Sequence, residues 1–286
     1  MGVREEQLFV SVVTPSYNQG DFIEDTILSI KNQDYPNLEH IIVDGGSTDN
    51  TLSIIKKHEG TYNMRWISEP DEGQADAINK GFKMARGAVL AWLNSDDYYL
   101  HDQVISKVVQ YLELYKSIHL VTGGGYHVDA KCKFLSPINV KADLINLRYM
   151  RYADFMLQPS TFFKKDVFEK VSLDKRYTYV FDWLLFLSIF EQRFDVLTVN
   201  DYFSAYRTHS KHKTGEDNAR RKKEVAEVAR RNFGVARPQT MYCRMIYWLY
   251  SFSELLPRPI GSRLKASVRN FNFVMSRLTF YRMYSC

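Results

Sequence analysis

The run WLNSDDYY, Trp92–Tyr99, ends an apolar stretch on two adjacent carboxylates, Asp96 and Asp97. Neighbouring carboxylates repel. A hard divalent cation removes that cost, because Mg²⁺ or Mn²⁺ is commonly held by one or two protein carboxylates completed by substrate phosphates. Asn, Ser and Asp also favour turns at strand ends, so this run alone leaves a metal corner and a solvated turn both open. Three other polar clusters close apolar runs in the same manner: Thr14-Pro15-Ser16-Tyr17-Asn18, Asp44-Gly45-Gly46-Ser47 and Ser68-Glu69-Pro70.

The elements that must position these clusters follow from hydrophobic periodicity. Strands are predicted at 8–13, 40–43, 64–67 and 88–93. Between and after them, apolar residues recur at helical spacing: Phe22–Ile30, a segment capped by Thr48 or Asp49, Gly73–Met84, and a helix starting at Asp102. This alternation predicts a mainly parallel sheet covered by helices. Right-handed crossovers bring the ends of such strands to one side, and ligands bind outside their carboxyl ends. All four polar clusters therefore share one rim, which is the main physical reason to expect a site there. The middle is less regular. Strands are predicted at 120–122, 125–128, 160–163, 196–199 and 203–206, a hairpin return at 131–135, and a very apolar helix at 183–190 with Asp182 at its start.

Three widely spaced cysteines, Cys132, Cys243 and Cys286, suggest neither a disulfide framework nor a zinc site and fit a reducing compartment. Residues 1–6 show no secretory or myristoylation pattern, and no uncharged apolar run reaches the length of a membrane span. The net charge of +5 is unevenly divided. From Glu216 onward 14 Lys or Arg stand against 5 Asp or Glu, a net +9, so the first 215 residues carry −4. The tail also interleaves aromatics with its cations. Asn218–Asn232 reads as a charged helix and Tyr242–Leu256 as an amphipathic one. That combination suggests a helix lying in a membrane interface, with packing on the body or on a second subunit as the other reading. Nucleic acid is disfavoured, since no recognition motif accompanies the charge.

The run VSVVTPSYNQGDFIEDTILSIKNQDYPNLEHIIVDGGSTDNT closely resembles the opening of inverting family 2 glycosyltransferases of the GT-A type. GQADAINKGFKMARGAVLAWLNSDD is similar to the continuation in their bacterial cell-surface polysaccharide branch, and QPSTFF, the segment around Asp182 and YRTH resemble later landmarks. The resemblance covers roughly residues 8–213 and rests on several motifs in order, each weak alone.

It implies a GT-A, Rossmann-like α/β catalytic domain over residues 1–215, to which the composition of the tail adds a helical, membrane-associating extension over 216–286. It also implies transfer of a sugar, with inversion, from a nucleoside-diphosphate sugar to a glycan or polyprenyl-diphosphate-linked acceptor. The setting is surface polysaccharide synthesis at the cytoplasmic face of the membrane. Tyr17 would pack on the base, with Pro15 and Ser16 shaping its loop, and Asp44 would hydrogen-bond the base. A lid over the sheet edge and a helix-capping turn are the plainer readings of Tyr17 and Asp44. Gly73, Gln74 and Asp76 would approach the donor, although Asp76 also suits a helix start. Asn94 and Ser95 lie in the diphosphate corner. Asp96, with Asp97 and His209, would hold Mn²⁺ or Mg²⁺, and Arg207 would meet the diphosphate with Lys211 and Lys213 nearby. Asn94 stands where the family's signature has its first Asp. Asp182 would be the general base, with an N-cap as its plainer reading. Two rivals remain. A sugar-phosphate nucleotidyltransferase would want a Gly-rich basic loop after strand one, which TPSYNQGDF lacks. A catalytically silent, membrane-bound glycan- or partner-binding homologue is the other, with Asn94 as its best support.

Overall fold

A computed structural model describes residues 7–151, 154–210 and 219–233, with positions 260 and 263. Four βα units open the chain. The strands are β1 (Val10–Ser16), β2 (Leu38–Asp44), β3 (Met64–Ser68) and β4 (Val89–Trp92). The helices are α1 (Ile23–Lys31), α2 (Thr51–His58), α3 (Gln74–Met84) and α4 (Val104–Leu114). β1, β4 and almost all of β2 are buried residue after residue, as expected of parallel strands covered on both faces. α1 turns Ile23, Ile27 and Ile30 inward. α3 comes close enough to β1 that a Cβ on Gly81 would lie 2.3 Å from Val13 Cγ1, so only glycine fits there.

The predicted strands at 120–122 and 125–128 are one strand, β6 (Leu120–Asp129), and those at 196–199 and 203–206 are one strand, β9 (Val196–Thr208). The two pair in parallel with register shifts around Gly124, and these bulges account for the apparent breaks in the pattern. The short β5 (Tyr98–Tyr99), β7 (Phe134–Ile138) and β8 (Thr161–Lys164) complete a sheet of order β3-β2-β1-β4-β8-β6-β9-β5, with β7 on β6. The first half is parallel as expected. In the second half β4–β8, β6–β8, β6–β7 and β5–β9 are antiparallel, because the βα rhythm ends after α4. Two short helices follow, α5 (Leu147–Met150) and α6 (Val167–Lys170), then α7 (Phe181–Glu191), buried nearly all round. α8 (Ala219–Phe233) matches the predicted charged helix.

One compact unit runs to Glu224 and a second from Val225. Glu224 is buried and accepts the backbone N–H groups of Thr178 and Tyr179 at 2.8–3.1 Å, so the first unit includes the start of α8. The amphipathic segment at 242–256 and most of the basic, aromatic tail lie outside the described residues. Among the described residues no helix is long and apolar enough to cross a membrane.

Candidate active site

β1 and β2 end in register, Ser16 beside Asp44, and Asp44 lies beside Ser68 of β3. Asp44 is fully buried. Its Oδ2 accepts the N–H groups of Gly46 and Ser47 at 3.0 and 2.8 Å and the Ser68 hydroxyl at 2.7 Å, while Oδ1 accepts the Ser47 hydroxyl. A buried carboxylate must be hydrogen-bonded, and this one is bonded by its own loop. The expected base contact through Asp44 is thus corrected: the side chain organises the loop and presents no surface to a ligand. The plainer reading, a turn-forming Asp, describes it. Ser47 accepts the Asn18 N–H at 2.8 Å, and Asn18 Oδ1 accepts that of Thr48 at 2.9 Å, stitching the β1 and β2 loops together. Pro15 and Ser16 are buried, with no partner for the Ser16 hydroxyl among the described residues. Tyr17 between them and Asn18 is 58% exposed, a large ring facing water on the rim.

At the end of β4 the Asp97 N–H donates to Asn94 O at 3.1 Å, and the Thr26 hydroxyl of α1 bonds Asp97 O at 2.6 Å. The turn reading of this run is therefore true, and the turn sorts the two carboxylates. Asp97 points inward and is 1% exposed. Its Oδ1 accepts the Arg207 backbone N–H at 3.0 Å and its Oδ2 faces Asn94 Nδ2 at 3.3 Å. Burial, and then the charge of Asp96, push its carboxyl well above the usual carboxylate range. Asp96 stays partly exposed, and His209 Nε2 lies 3.1 Å from its Oδ2. Ser95, which precedes Asp96, is buried.

Asn94 is the centre of an amide chain. Its Oδ1 accepts Gln74 Nε2 at 2.7 Å, and its Nδ2 reaches Asp97 Oδ2 and, at 3.2 Å, Gln158 Oε1. Gln158 Nε2 in turn donates to Trp92 O at 2.7 Å. An Asp at 94 would have no hydrogen to give Asp97 or Gln158 and would add a third negative charge. The departure from the family signature is thus built into the surrounding hydrogen bonds.

Arg207 does not reach the rim as expected. It is 1% exposed, Nη2 donates to Asp25 at 2.7 Å, and the guanidinium lies 5.1 Å from the Phe22 ring centre and 5.2 Å from that of Tyr98. A buried cation needs a partner, and Asp25 and the two rings supply it, so the diphosphate contact is corrected. Lys211 and Lys213 fall outside the described residues. Asp76 is tied to the start of its helix and the segment before it: Oδ2 accepts the Glu72 N–H at 3.2 Å and lies 3.6 Å from Lys80 Nζ. Gly73 adopts φ 110° at the start of α3 with open space where a Cβ would stand.

A cleft of about 210 Å³ gathers Gln74, Asn94, Asp96, Asp97 and Asp182. Asp182 is not the N-cap of α7, a position held by Val180. It lies in the first turn, where Oδ1 accepts the Trp183 N–H at 2.8 Å. Apolar contact comes from Trp92, Met156, Leu157, Pro159 and Phe181, none of them among the expected site residues. Gln158 was within reach, since QPSTFF was already marked as a landmark.

Among the described residues no three His, Cys, Asp or Glu side chains converge as a metal cage. The fit to a divalent cation is that of a substrate-completed site: one outward carboxylate, Asp96, with one imidazole beside it. Asp97 spends both oxygens elsewhere.

The sequence profile "Glycosyl transferase family 2" matches residues 11–171. The chain is 42% identical over 97 residues to TuaG of Bacillus subtilis, assigned to teichuronic acid biosynthesis as a glycosyltransferase; the match covers 33% of this chain and 38% of TuaG. It is 40% identical over 96 residues to the chondroitin synthase of Pasteurella multocida, covering 33% of this chain and 10% of that protein. The chain thus aligns with less than half the length of either relative. Among solved structures it is similar to S. aureus TarS 1-349 in complex with UDP-GlcNAc, with a TM-score of 0.62, 17% identity, and coverage of 88% of this chain and 83% of that one. A Pyrobaculum calidifontis mannosyltransferase in complex with GDP-Man and Mn²⁺ gives a TM-score of 0.59 at 16% identity, covering 96% and 83%. At these identities the likeness shows the GT-A fold alone.

Proposed function

Because the chain belongs to glycosyl transferase family 2, we propose that it moves a hexose-like sugar from a nucleoside diphosphate to a hydroxyl of a glycan or lipid-linked acceptor, with inversion. The observation that carries this reading is the cleft that gathers Asp182, Asp96 and the Gln74–Asn94–Gln158 amide chain. A half-buried carboxylate among aromatic and aliphatic side chains suits a general base. Asp182 takes the proton of the acceptor hydroxyl as its oxygen bonds to the anomeric carbon and the nucleoside diphosphate departs with its bonding pair. The amide groups suit the neutral hydroxyls of a sugar. Tyr17, exposed on the same rim, suits stacking on the base.

Asp96 and His209 would hold Mn²⁺ or Mg²⁺, whose chemistry there is to neutralise charge on the departing diphosphate. A thermal-shift screen of nucleoside diphosphates with Mn²⁺ tests this. The expected result is stabilisation by one nucleotide, lost in Asp96→Ala. Equal stabilisation of both proteins would reject the metal role.

The relatives' names, one tied to teichuronic acid biosynthesis and one to chondroitin synthesis, favour polysaccharide synthesis as the setting. The basic first turns of α8, with Arg220, Arg221, Lys222 and Lys223 exposed, favour an anionic membrane surface as partner, at the cytoplasmic face where polyprenyl-linked acceptors are built. Full-length protein is expected to sediment with anionic liposomes and a chain cut after residue 233 to do so less; equal partitioning would exclude an anchoring tail.

A further inference from the structure

We propose that Arg207 is a positioning residue that presents His209 to Asp96, and that it makes no contact with the donor. The proposal rests on the reading of the Asp96–His209 corner given above. Four contacts carry it. The backbone N–H of Arg207 donates to Asp97 Oδ1 at 3.0 Å, fixing the end of β9 to the turn that also carries Asp96. The guanidinium is held by Asp25 of α1 at 2.7 Å. It lies against the rings of Phe22 and Tyr98, 5.1 and 5.2 Å from their centres, within cation–π range. Phe22 is also a ring neighbour of His209, with centroids 4.2 Å apart. One buried cation thus joins the start of α1, the turn after β4 and the end of β9, and the imidazole two residues further on rests on the same ring.

The physical logic is asymmetric. Asp25 is half exposed whereas the Arg207 side chain is 1% exposed. Removing the Asp25 charge leaves a buried cation with aromatic faces but without its paired carboxylate, and such a group moves towards water. Its departure withdraws support from Phe22 and frees the His209 ring. Lysine at 207 keeps the charge but lacks the planar, forked guanidinium that both stacks and pairs.

NMR of protein grown on isotope-labelled histidine tests this without any ligand. The His209 ring signal is identified among the seven histidines by its loss in His209→Gln. In the wild type it is expected to be displaced by the Phe22 ring current. In Asp25→Asn and in Arg207→Lys it should move towards the position of an exposed histidine, while Asp25→Glu keeps it displaced. The buried His40 signal reports that each variant is folded, and Asp25→Asn, at a half-exposed position, covers the case in which Arg207→Lys does not fold. A His209 signal that stays in place in Asp25→Asn overturns the proposal. Addition of Mn²⁺ to the wild type separates the underlying reading from this one. Absence of paramagnetic broadening at His209 counts against the metal corner, whereas the positioning role is judged by the shift alone.

Discussion

Two buried carboxylates in the same sheet, Glu39 at its foot and Asp97 at its rim, meet opposite fates. Glu39 accepts the Ser11 hydroxyl at 2.6 Å, the Arg86 N–H at 2.8 Å and the Arg65 guanidinium at 2.7 Å. Burial pushes its carboxyl up, but these bonds and the Arg65 charge outweigh burial and hold it below the usual range. Asp97 is just as closed to water, but more protein surrounds it, and burial together with the Asp96 charge pushes its carboxyl the other way. Arg207 offers it a backbone N–H and some charge attraction but gives its guanidinium to Asp25, and together with Asn94 these do not outweigh burial and Asp96. The foot is electrostatically closed. The rim carries a mismatch that the fold holds in place, and such mismatches concentrate where chemistry is done.

The largest expected effect breaks the foot. Glu39→Ala strands Arg65 in a partly buried position and should cost about 3–5 kcal/mol of stability by urea unfolding; a loss below 1 kcal/mol would mean the foot is not closed by this pair. At the rim, Asn94→Asp should cost about 1–3 kcal/mol, because Asp97 and Gln158 lose their donor and gain a repulsive neighbour. A stable Asn94→Asp variant with tighter Mn²⁺ binding would show instead that Asn94 is a replaceable metal position.

His40 lies between the two regions. Tyr62 and Thr14 occupy both its ring nitrogens, and burial lowers its pKa to about 3. The folded state therefore keeps it neutral where the unfolded chain takes up a proton below about pH 6.5. Stability is lost as pH falls through that value, by about 1 kcal/mol between pH 6.5 and pH 5.5, the loss continuing towards pH 3. His40→Gln should flatten that slope in a pH series of unfolding curves. An unchanged slope would assign the acid sensitivity to other groups. The smallest effect is at Tyr17, where alanine should leave stability within about 0.5 kcal/mol while weakening nucleotide binding. Unchanged nucleotide affinity would remove Tyr17 from the site.

Much of this was legible in the sequence. The four βα units and their shared rim follow from periodicity and crossover handedness, and Asp96, Gln74 and Asp182 do meet in one cleft. The expected diphosphate contact of Arg207 ran against a signal in its own strand: Phe203, Ala205 and Arg207 alternate, and period two places all three on the buried face. Asp44 had no such signal, because every neighbour in β2 is buried and no alternation marks its direction. The Gln74–Asn94–Gln158 chain and the Asp25–Arg207 pair join residues 20 to 182 positions apart, which local spacing does not encode.

The central claim is that Asp182 performs proton transfer in a sugar-transfer cleft. Its most direct test compares wild type and Asp182→Asn for release of nucleoside diphosphate from a panel of nucleotide sugars with Mn²⁺, alongside donor affinity by calorimetry. The account predicts unchanged donor affinity and turnover lower by about 10²–10⁴-fold. Turnover within a few-fold of wild type, with binding intact, would contradict it.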